Sequence, residues 1–244
     1  MNDEKDITGV VIRSMQAKAQ KAIQALKRNN FDAEYVVDVA TAMSKILEKI
    51  PQGATIGRGD SVTLHQIGIV DWLKNQKEHE VFDPFAIEFQ EFGNDWVKYR
   101  VERFRLMQKA LTANVFLTST NAITLDGKIV NIDGHGNRVG GMLFGPNKCI
   151  IVAGVNKVVK DVDAALERIH HITAPVAARR HVEKHGWKND IGQLPCVVTG
   201  VCNQCNSPNK VCRCITIIDG WSPLFHCPAE LPPSIIIVGE SLGV

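Results

Sequence analysis

Three runs limit what this chain can fold into: Lys148-Cys149-Ile150-Ile151-Val152-Ala153, Ile215-Thr216-Ile217-Ile218 and Ile235-Ile236-Ile237-Val238. The last two are continuous β-branched stretches, stiff at χ1 and suited to a pleated surface. With little polar alternation, such strands belong where both faces are covered, the situation of a parallel sheet clothed in helices. Helical segments stand between the strands. From Ile7 to Leu26 the residues Ile7, Val11, Met15, Ala19, Ala22, Ile23 and Leu26 recur every three or four positions, with Asp3 or Asp6 placed to begin the helix. A short strand around Tyr35-Val36-Val37 follows, then a helix from Thr41 to Ile50 that stops at Pro51. A second short strand, Ala54-Thr55-Ile56, runs into Gly57-Arg58-Gly59-Asp60-Ser61 and a helix from Val62 to Ile67.

Farther on, Asp95 to Ala113 reads as a long surface helix with Val97, Val101, Phe104 and Leu111 on one side. Asn114 to Leu117 is a buried-type strand, and Ala122 to Leu125 with Lys128 to Ile132 flank Asp126-Gly127, a hairpin dipeptide whose two residues are expected at positive φ. Helices are predicted from Lys160 to His170 and from Ala174 to Lys184. His170 and His171, at a helix end, are read as complements of the macrodipole rather than as metal ligands. The sum is an open, largely parallel α/β sheet with flanking helices and a C-terminal Cys-rich loop. Residues 1–50 are expected as an N-terminal helical region packed on a main domain, 51–244, with a Cys-rich insertion at 196–214.

With 244 residues, 45% of them hydrophobic, the chain can build a core without disulfides. Lys and Arg number 28 against 26 Asp and Glu, which disfavours a generally basic nucleic-acid binder. The polar, acidic start is unlike a secretory signal, and nothing approaches a run of about 18 apolar residues, so no membrane partner is expected. Seven cysteines, an odd count, fit the reducing cytoplasm.

Four of those cysteines fall within thirteen residues: Cys202, Cys205, Cys212 and Cys214. Thiolates two residues apart can share one metal from a tight turn, and Asn203, Asn206, Ser207, Pro208 and Asn209 let the chain wrap an ion. An iron-sulfur cluster and zinc both accept four thiolates, so both stay open, iron-sulfur being the first expectation and zinc the alternative. Disulfides are disfavoured in a cytosolic chain. Because residues two apart on a strand face opposite ways, Cys214 can point away from a centre that Cys212 faces, leaving three thiolates and an open position. Cys196, His226 and Cys227 are alternative fourth ligands.

A second candidate is an anion cradle. Gly57, Gly59, Asp60 and Ser61 form a strand-to-helix turn, although it matches neither G-x-G-x-x-G nor a Walker A loop. Thr118-Ser119-Thr120-Asn121 follows a buried strand, and Asp133-Gly134-His135-Gly136-Asn137-Arg138 is a polar glycine loop. Ligands of open α/β sheets sit beyond the carboxyl ends of strands, which is where these stretches lie. Gly57, Gly59, Asp60, Ser61, Thr120, Asn121, Asn137 and Arg138 are the expected binding residues for a small carboxylate or phosphate. Asp133 and His135 are the expected proton-moving residues. Arg58-Gly59-Asp60 is no adhesion motif, and Trp72, Trp96, Trp187 and Trp221 are too scattered to form a base-stacking platform.

Together these stretches resemble the lactate utilization (LUD) domain family, in particular its stand-alone members of the lactate utilization protein C type. The likeness is carried by Ile56 to Leu64 with Ile67-Gly68, by Val115 to Thr124 with Asp126-Gly127, and by Val130 to Val139. Phe144-Gly145-Pro146, Gly154 to Lys157 and Ile237 to Gly243 complete it. The resemblance implies a fold of the NagB/RpiA/CoA-transferase-like type and a role in oxidising L-lactate to pyruvate beside iron-sulfur and flavin-type partner subunits. Such members also carry Cys202-x2-Cys205-x2-Pro208-x3-Cys212, which makes Cys214 an addition to the family pattern. No nicotinamide or flavin fingerprint is present, so a complete dehydrogenase in one subunit is not expected. The leading expectation is a metal- or iron-sulfur-binding subunit of lactate oxidation, as a homo-oligomer acting with lactate-oxidation partner subunits on a small anionic metabolite. The alternatives are a stand-alone cluster-dependent lyase or sugar-phosphate isomerase or hydrolase, and a non-catalytic scaffold or regulatory subunit.

Overall fold

A computed structural model describes residues 7–186, 188–225 and 230–244. The first half of the chain runs α1 (Ile7–Arg28), β1 (Asp32–Val36), α2 (Val39–Glu48), β2 (Ile56–Arg58), α3 (Val62–Ile67), α4 (Ile69–Asn75), β3 (Val81–Phe82), α5 (Trp96–Leu111) and β4 (Val115–Thr118). The second half runs β5 (Ala122–Thr124), β6 (Ile129–Asp133), α6 (Asn137–Leu143), β7 (Lys148–Gly154), β8 (Val158–Val159), α7 (Val162–Arg168), α8 (Ala174–His185), α9 (Pro195–Thr199), β9 (Cys214–Ile218) and β10 (Ser234–Val238). Asp3, Asp6, Trp187, His226 and Cys227, singled out from the sequence, lie outside the described residues.

Six strands form one parallel sheet in the order β1-β10-β7-β4-β2-β3. It is the expected open α/β sheet, and the alternation along its strands shows why helices cover both faces. Ile151, Ala153, Ile235 and Ile237 pack with Ala22 and Leu26 of α1 and Val139 and Met142 of α6. Their neighbours Ile150, Val152, Ile236 and Val238 pack the other way, against Ala42 and Ile46 of α2, Leu64 of α3 and Val70 of α4. Each such fully buried aliphatic side chain contributes roughly 1.5–3 kcal/mol relative to exposure. A second sheet, β8-β5-β6-β9, grows from the chain that leaves β4. In it β5 pairs with β6 and β6 with β9 antiparallel, while β5 and β8 are parallel.

Several expectations need correcting. Residues 1–50 are not a purely helical region, because β1 is the edge strand of the main sheet, paired with β10 from Asp32↔Ser234 to Val36↔Val238. β9 is not buried on both faces: Ile215 and Ile217 are exposed and only Ile218 is buried, as suits an edge strand of the second sheet. On α5 the buried residues are Tyr99, Met107 and Ala110, whereas Val97, Val101 and Phe104 face solvent. The β2 strand begins two residues later than predicted, so Gly57 sits inside it. In the hairpin turn Gly127 alone takes a positive φ, +86°, and its N–H donates to Thr124 O at 3.0 Å. His170 and His171 lie in a π-helical turn, Ile169–Thr173, that joins α7 to α8, so they cap no helix end.

Candidate functional site

A parallel sheet delivers its loops to one edge, and here the turns after β2, β4 and β7 meet there. They bring Asp60 and Ser61, Ser119 to Asn121, and Lys157 to the wall of one cleft of about 580 Å³. The Asp133–Arg138 loop, helix α8 through Arg180 and His181, helix α5 through Arg100 and Arg103, and the segment Pro208–Val211 complete it. Most of the predicted cradle is therefore assembled, and the cysteine-bearing loop forms part of its wall. Gly134 shows how closely: a Cβ there would meet Val211 O at 3.1 Å, and Arg213 N–H donates to Asp133 O at 3.0 Å.

The individual roles differ from those expected. Gly57 lies in the β2 ladder, where a Cβ would come 2.5 Å from Ala110 O, so its missing side chain serves the packing of α5 and it does not line the cleft. Gly59 is likewise a close-approach glycine, with Arg138 Cγ 2.9 Å from where its Cβ would be and its N–H given to Leu117 O. Ser61 caps α3 by accepting the Leu64 N–H at 3.3 Å. Asp60 is held in a double hydrogen bond by Arg180, at 2.8 and 3.0 Å. Burial works to raise its pKa, but the Arg180 hydrogen bonds and charge, with Lys184 and Arg58 behind, hold the carboxyl well below the usual range.

Thr120 is fully enclosed and its hydroxyl donates to Ala122 O and Val130 O, both at 3.2 Å. Asn121 Oδ1 accepts from Ile132 N–H and from Arg138, each at 2.9 Å. Arg138 spends its guanidinium on the protein: Ser119 O at 2.7 Å, Asn131 Oδ1 at 2.8 Å, Asn121 Oδ1 and Ile132 O at 2.5 Å. It is a clasp for the β4–β5 crossing, not an unspent anion clamp. Asp133 accepts the N–H groups of His135 and Val139, both at 3.2 Å, which shapes the glycine loop. His135 is exposed at the cleft, and desolvation followed by the charge of Arg103 pulls its pKa below the ordinary imidazole value, against Asp133. The imidazole is thus neutral near pH 7 and able to accept a proton. Asn137 opens α6 on the same wall.

Sequence reasoning missed Lys157. It sits in the turn after β7, is 3% exposed, and donates to Thr63 Oγ1 at 2.9 Å and Ser119 Oγ at 3.1 Å. No carboxylate among the described residues pairs with it. Burial, with Arg168 and Arg138 nearby, pulls its pKa down to about 7. Its sequence signals were its place three residues past an apolar strand and its membership of the Gly154–Lys157 stretch that carries the family resemblance, neither of which assigned it to the cleft. Arg100, Arg103, Lys210 and Arg213 were also unpredicted, and they too make no ion pair among the described residues. The cleft carries seven Lys and Arg side chains against two Asp, both already engaged, in a chain whose net charge is only +2. Such a concentration inside low-dielectric walls focuses a positive potential.

The predicted metal ligands are not set as a ligand group among the described residues. Among the described residues no group of three or more His, Cys, Asp or Glu is placed to hold a metal ion. Cys202 Sγ instead lies 3.5 Å from His170 Nδ1, and Cys214 begins β9, paired with Asp133 across the ladder. Cys196, Cys202, Cys205 and Cys212 do feel one another: burial first, then the neighbouring thiolates, raises the pKa of Cys196 and of Cys212. No described helix is long and apolar enough to cross a membrane.

Comparison with known proteins gives a family. The LUD domain model matches residues 19–222. Among solved structures, a DUF162 family protein from Deinococcus radiodurans covers 93% of this chain and 98% of its own, at 13% identity and a TM-score of 0.47. No curated protein matches the chain.

Proposed function

This chain belongs to the LUD domain family, which is associated with lactate utilization, and from that premise we propose that its cleft binds a small carboxylate of the lactate–pyruvate couple. The observation that supports this is the excess of unpaired cations in one cleft of a nearly neutral chain. A carboxylate entering it meets Arg100, Arg103, Lys210 and Arg213, which make no ion pair among the described residues, whereas Asp60 is already neutralised by Arg180. His135, neutral and exposed at the cleft, is suited to take the hydroxyl proton of a 2-hydroxy acid. The two electrons that leave lactate need an acceptor, which the proposal assigns to partner subunits because the sequence has no dinucleotide fingerprint. The chain then works as a substrate-binding subunit of lactate oxidation.

Isothermal calorimetry with L-lactate, pyruvate and inorganic phosphate tests this. We expect both carboxylates to bind, more weakly as salt rises, and Arg103→Glu to weaken binding by about tenfold. Binding of phosphate alone favours the sugar-phosphate class of substrate, and binding of none removes the proposal.

A second reading keeps an iron-sulfur cluster, or zinc, in the cysteine loop. The mutual proximity of Cys196, Cys202, Cys205 and Cys212 favours it, although among the described residues their side chains are not set as a ligand group. Stoichiometric iron or zinc in anaerobically purified protein, lost on Cys202→Ser with Cys205→Ser, supports it; metal-free protein that binds carboxylates removes it.

A further inference from the structure

Lys157 is a buried amine with no countercharge among the described residues, in the wall of a cleft rich in cations. The charged groups that act on it, Arg168 and Arg138, are cations whose guanidinium N–H groups are bonded elsewhere, to Asn121 O and Thr173 Oγ1 and to the clasp described above. A purely structural lysine in such a place gains little, since burying an unpaired ammonium is costly and a methionine would fill the space. The surroundings suit the neutral amine instead. A neutral amine has two N–H bonds and one lone pair, and Thr63 Oγ1 and Ser119 Oγ supply two acceptors. The lone pair is the group left over.

Three further observations narrow the chemistry. Ser119 is not set to be the nucleophile, because its hydroxyl receives the Lys157 donation and has Thr120 O, a pure acceptor, at 3.3 Å for its own proton. Ser119 Oγ also lies 3.2 Å from Thr63 Oγ1, so its one proton can turn from Thr120 O to Thr63, and the two hydroxyls form a short relay beside the amine. The chain then passes over the amine at Gly243, whose φ is +64° and where a Cβ would stand 2.8 Å from Nζ, which shelters it from bulk water.

We propose that Lys157 is a catalytic residue whose side-chain amine forms a transient imine with the keto carbon of a 2-oxo acid in the cleft. The nitrogen lone pair attacks the keto carbon, the carbonyl π electrons move to its oxygen, and one of the two protons on the now cationic nitrogen passes through the Ser119–Thr63 relay to that oxygen. The carbinolamine then loses the hydroxyl as water while the nitrogen gives up its proton, and the C=N bond is made. Amine and ketone become imine and water, with no oxidant or reductant consumed. The imine draws electrons from the adjacent carbon and so labilises its hydrogens. This inference deepens the proposed function, resting on the cleft as a site for the lactate–pyruvate couple, and names the oxo acid as the partner that reacts.

The full-length protein is incubated with pyruvate, reduced with sodium borohydride, digested and mapped by mass spectrometry. Deuterium exchange into the pyruvate methyl group is followed by NMR, and L-lactate binding is measured by calorimetry on the same preparation. We expect the peptide bearing Lys157 to gain the mass of pyruvate less one oxygen, and excess L-lactate, which has no keto carbon, to suppress this. We expect methyl exchange to fall on the order of a hundredfold in Lys157→Met. Mapping is done on the unaltered chain, so the result does not depend on that variant folding. Ser119→Ala is expected to slow trapping while leaving its position unchanged. Lactate binding without an adduct at Lys157, or adducts spread over other lysines, overturns the imine and leaves the carboxylate cleft standing. Absence of both lactate binding and adduct overturns the two together.

Discussion

Asp60 and Lys157 both line the cleft, yet among the described residues Asp60 has a countercharge and Lys157 has none, and that difference separates their work. Asp60 is ionised because two Arg180 N–H groups reward the charge, and in the unfolded chain that reward is gone. Its folded pKa lies below the unfolded value of about 3.9, so the stabilisation is complete above that value and is lost as pH falls toward the folded one. Asp60→Asn should therefore lower stability at pH 7 by about 2 kcal/mol, a modest figure because Arg180 remains one-third exposed. The gap between variant and native protein should close as pH drops below about 4. Urea unfolding at several pH values measures this, and a gap independent of pH would mean the pair stabilises nothing through its charge. The same side chain shows what the sequence conveys at this scale. Asp60, Ser61, Thr120, Asn121, Asp133, His135, Asn137 and Arg138 all reach one cleft as their loop positions suggest. Which of them keeps a bonding group for a ligand depends on partners far along the chain, such as Arg180, and no local pattern discloses that.

Helix α5 carries two stripes of near-equal spacing, and hydrophobicity chose the wrong one. Val97, Val101 and Phe104 are more apolar than the stripe that packs, Tyr99, Arg103, Met107 and Ala110, because Arg103 is needed in the cleft and Ala110 must be small. Ala110 faces Gly57, and that contact lets α5 lie close to β2. Gly57→Ala would drive a methyl into the Ala110 backbone, so we expect a loss of about 1–3 kcal/mol and a lower Tm by several degrees. Calorimetric melting checks it. Carboxylate affinity should fall too, since α5 positions Arg100 and Arg103, and an unchanged Tm would show that the helix yields freely. The strands were easier to read: β10 is buried throughout and β7 from Cys149 onward, as their apolar runs require, whereas the similar run in β9 ends at a sheet edge that only topology defines.

At the scale of the molecule, two sheets share one stretch of chain. Residues 118–121 leave the parallel sheet at the end of β4 and enter the second at β5, and the cleft opens beside this crossing. Arg138 fixes it, reaching Ser119 O at the exit of the first sheet and Asn121, Asn131 and Ile132 in the second. Burial lowers its pKa while Asp133 and Asp60 raise it, a cost a guanidinium tolerates because it stays charged and its planar fork meets several acceptors at once. Arg138→Met leaves these acceptors without donors and should cost about 3 kcal/mol or more. Lysine keeps the charge but has one nitrogen, so Arg138→Lys should recover less than half of that loss. Because the crossing also carries Ser119, both variants should weaken pyruvate binding beyond what their stability explains. Urea unfolding followed by far-ultraviolet circular dichroism, together with calorimetric titration of the folded fraction, decides the matter. Full recovery by lysine would reduce Arg138 to a simple charge and leave the alignment of the two sheets to their backbones alone.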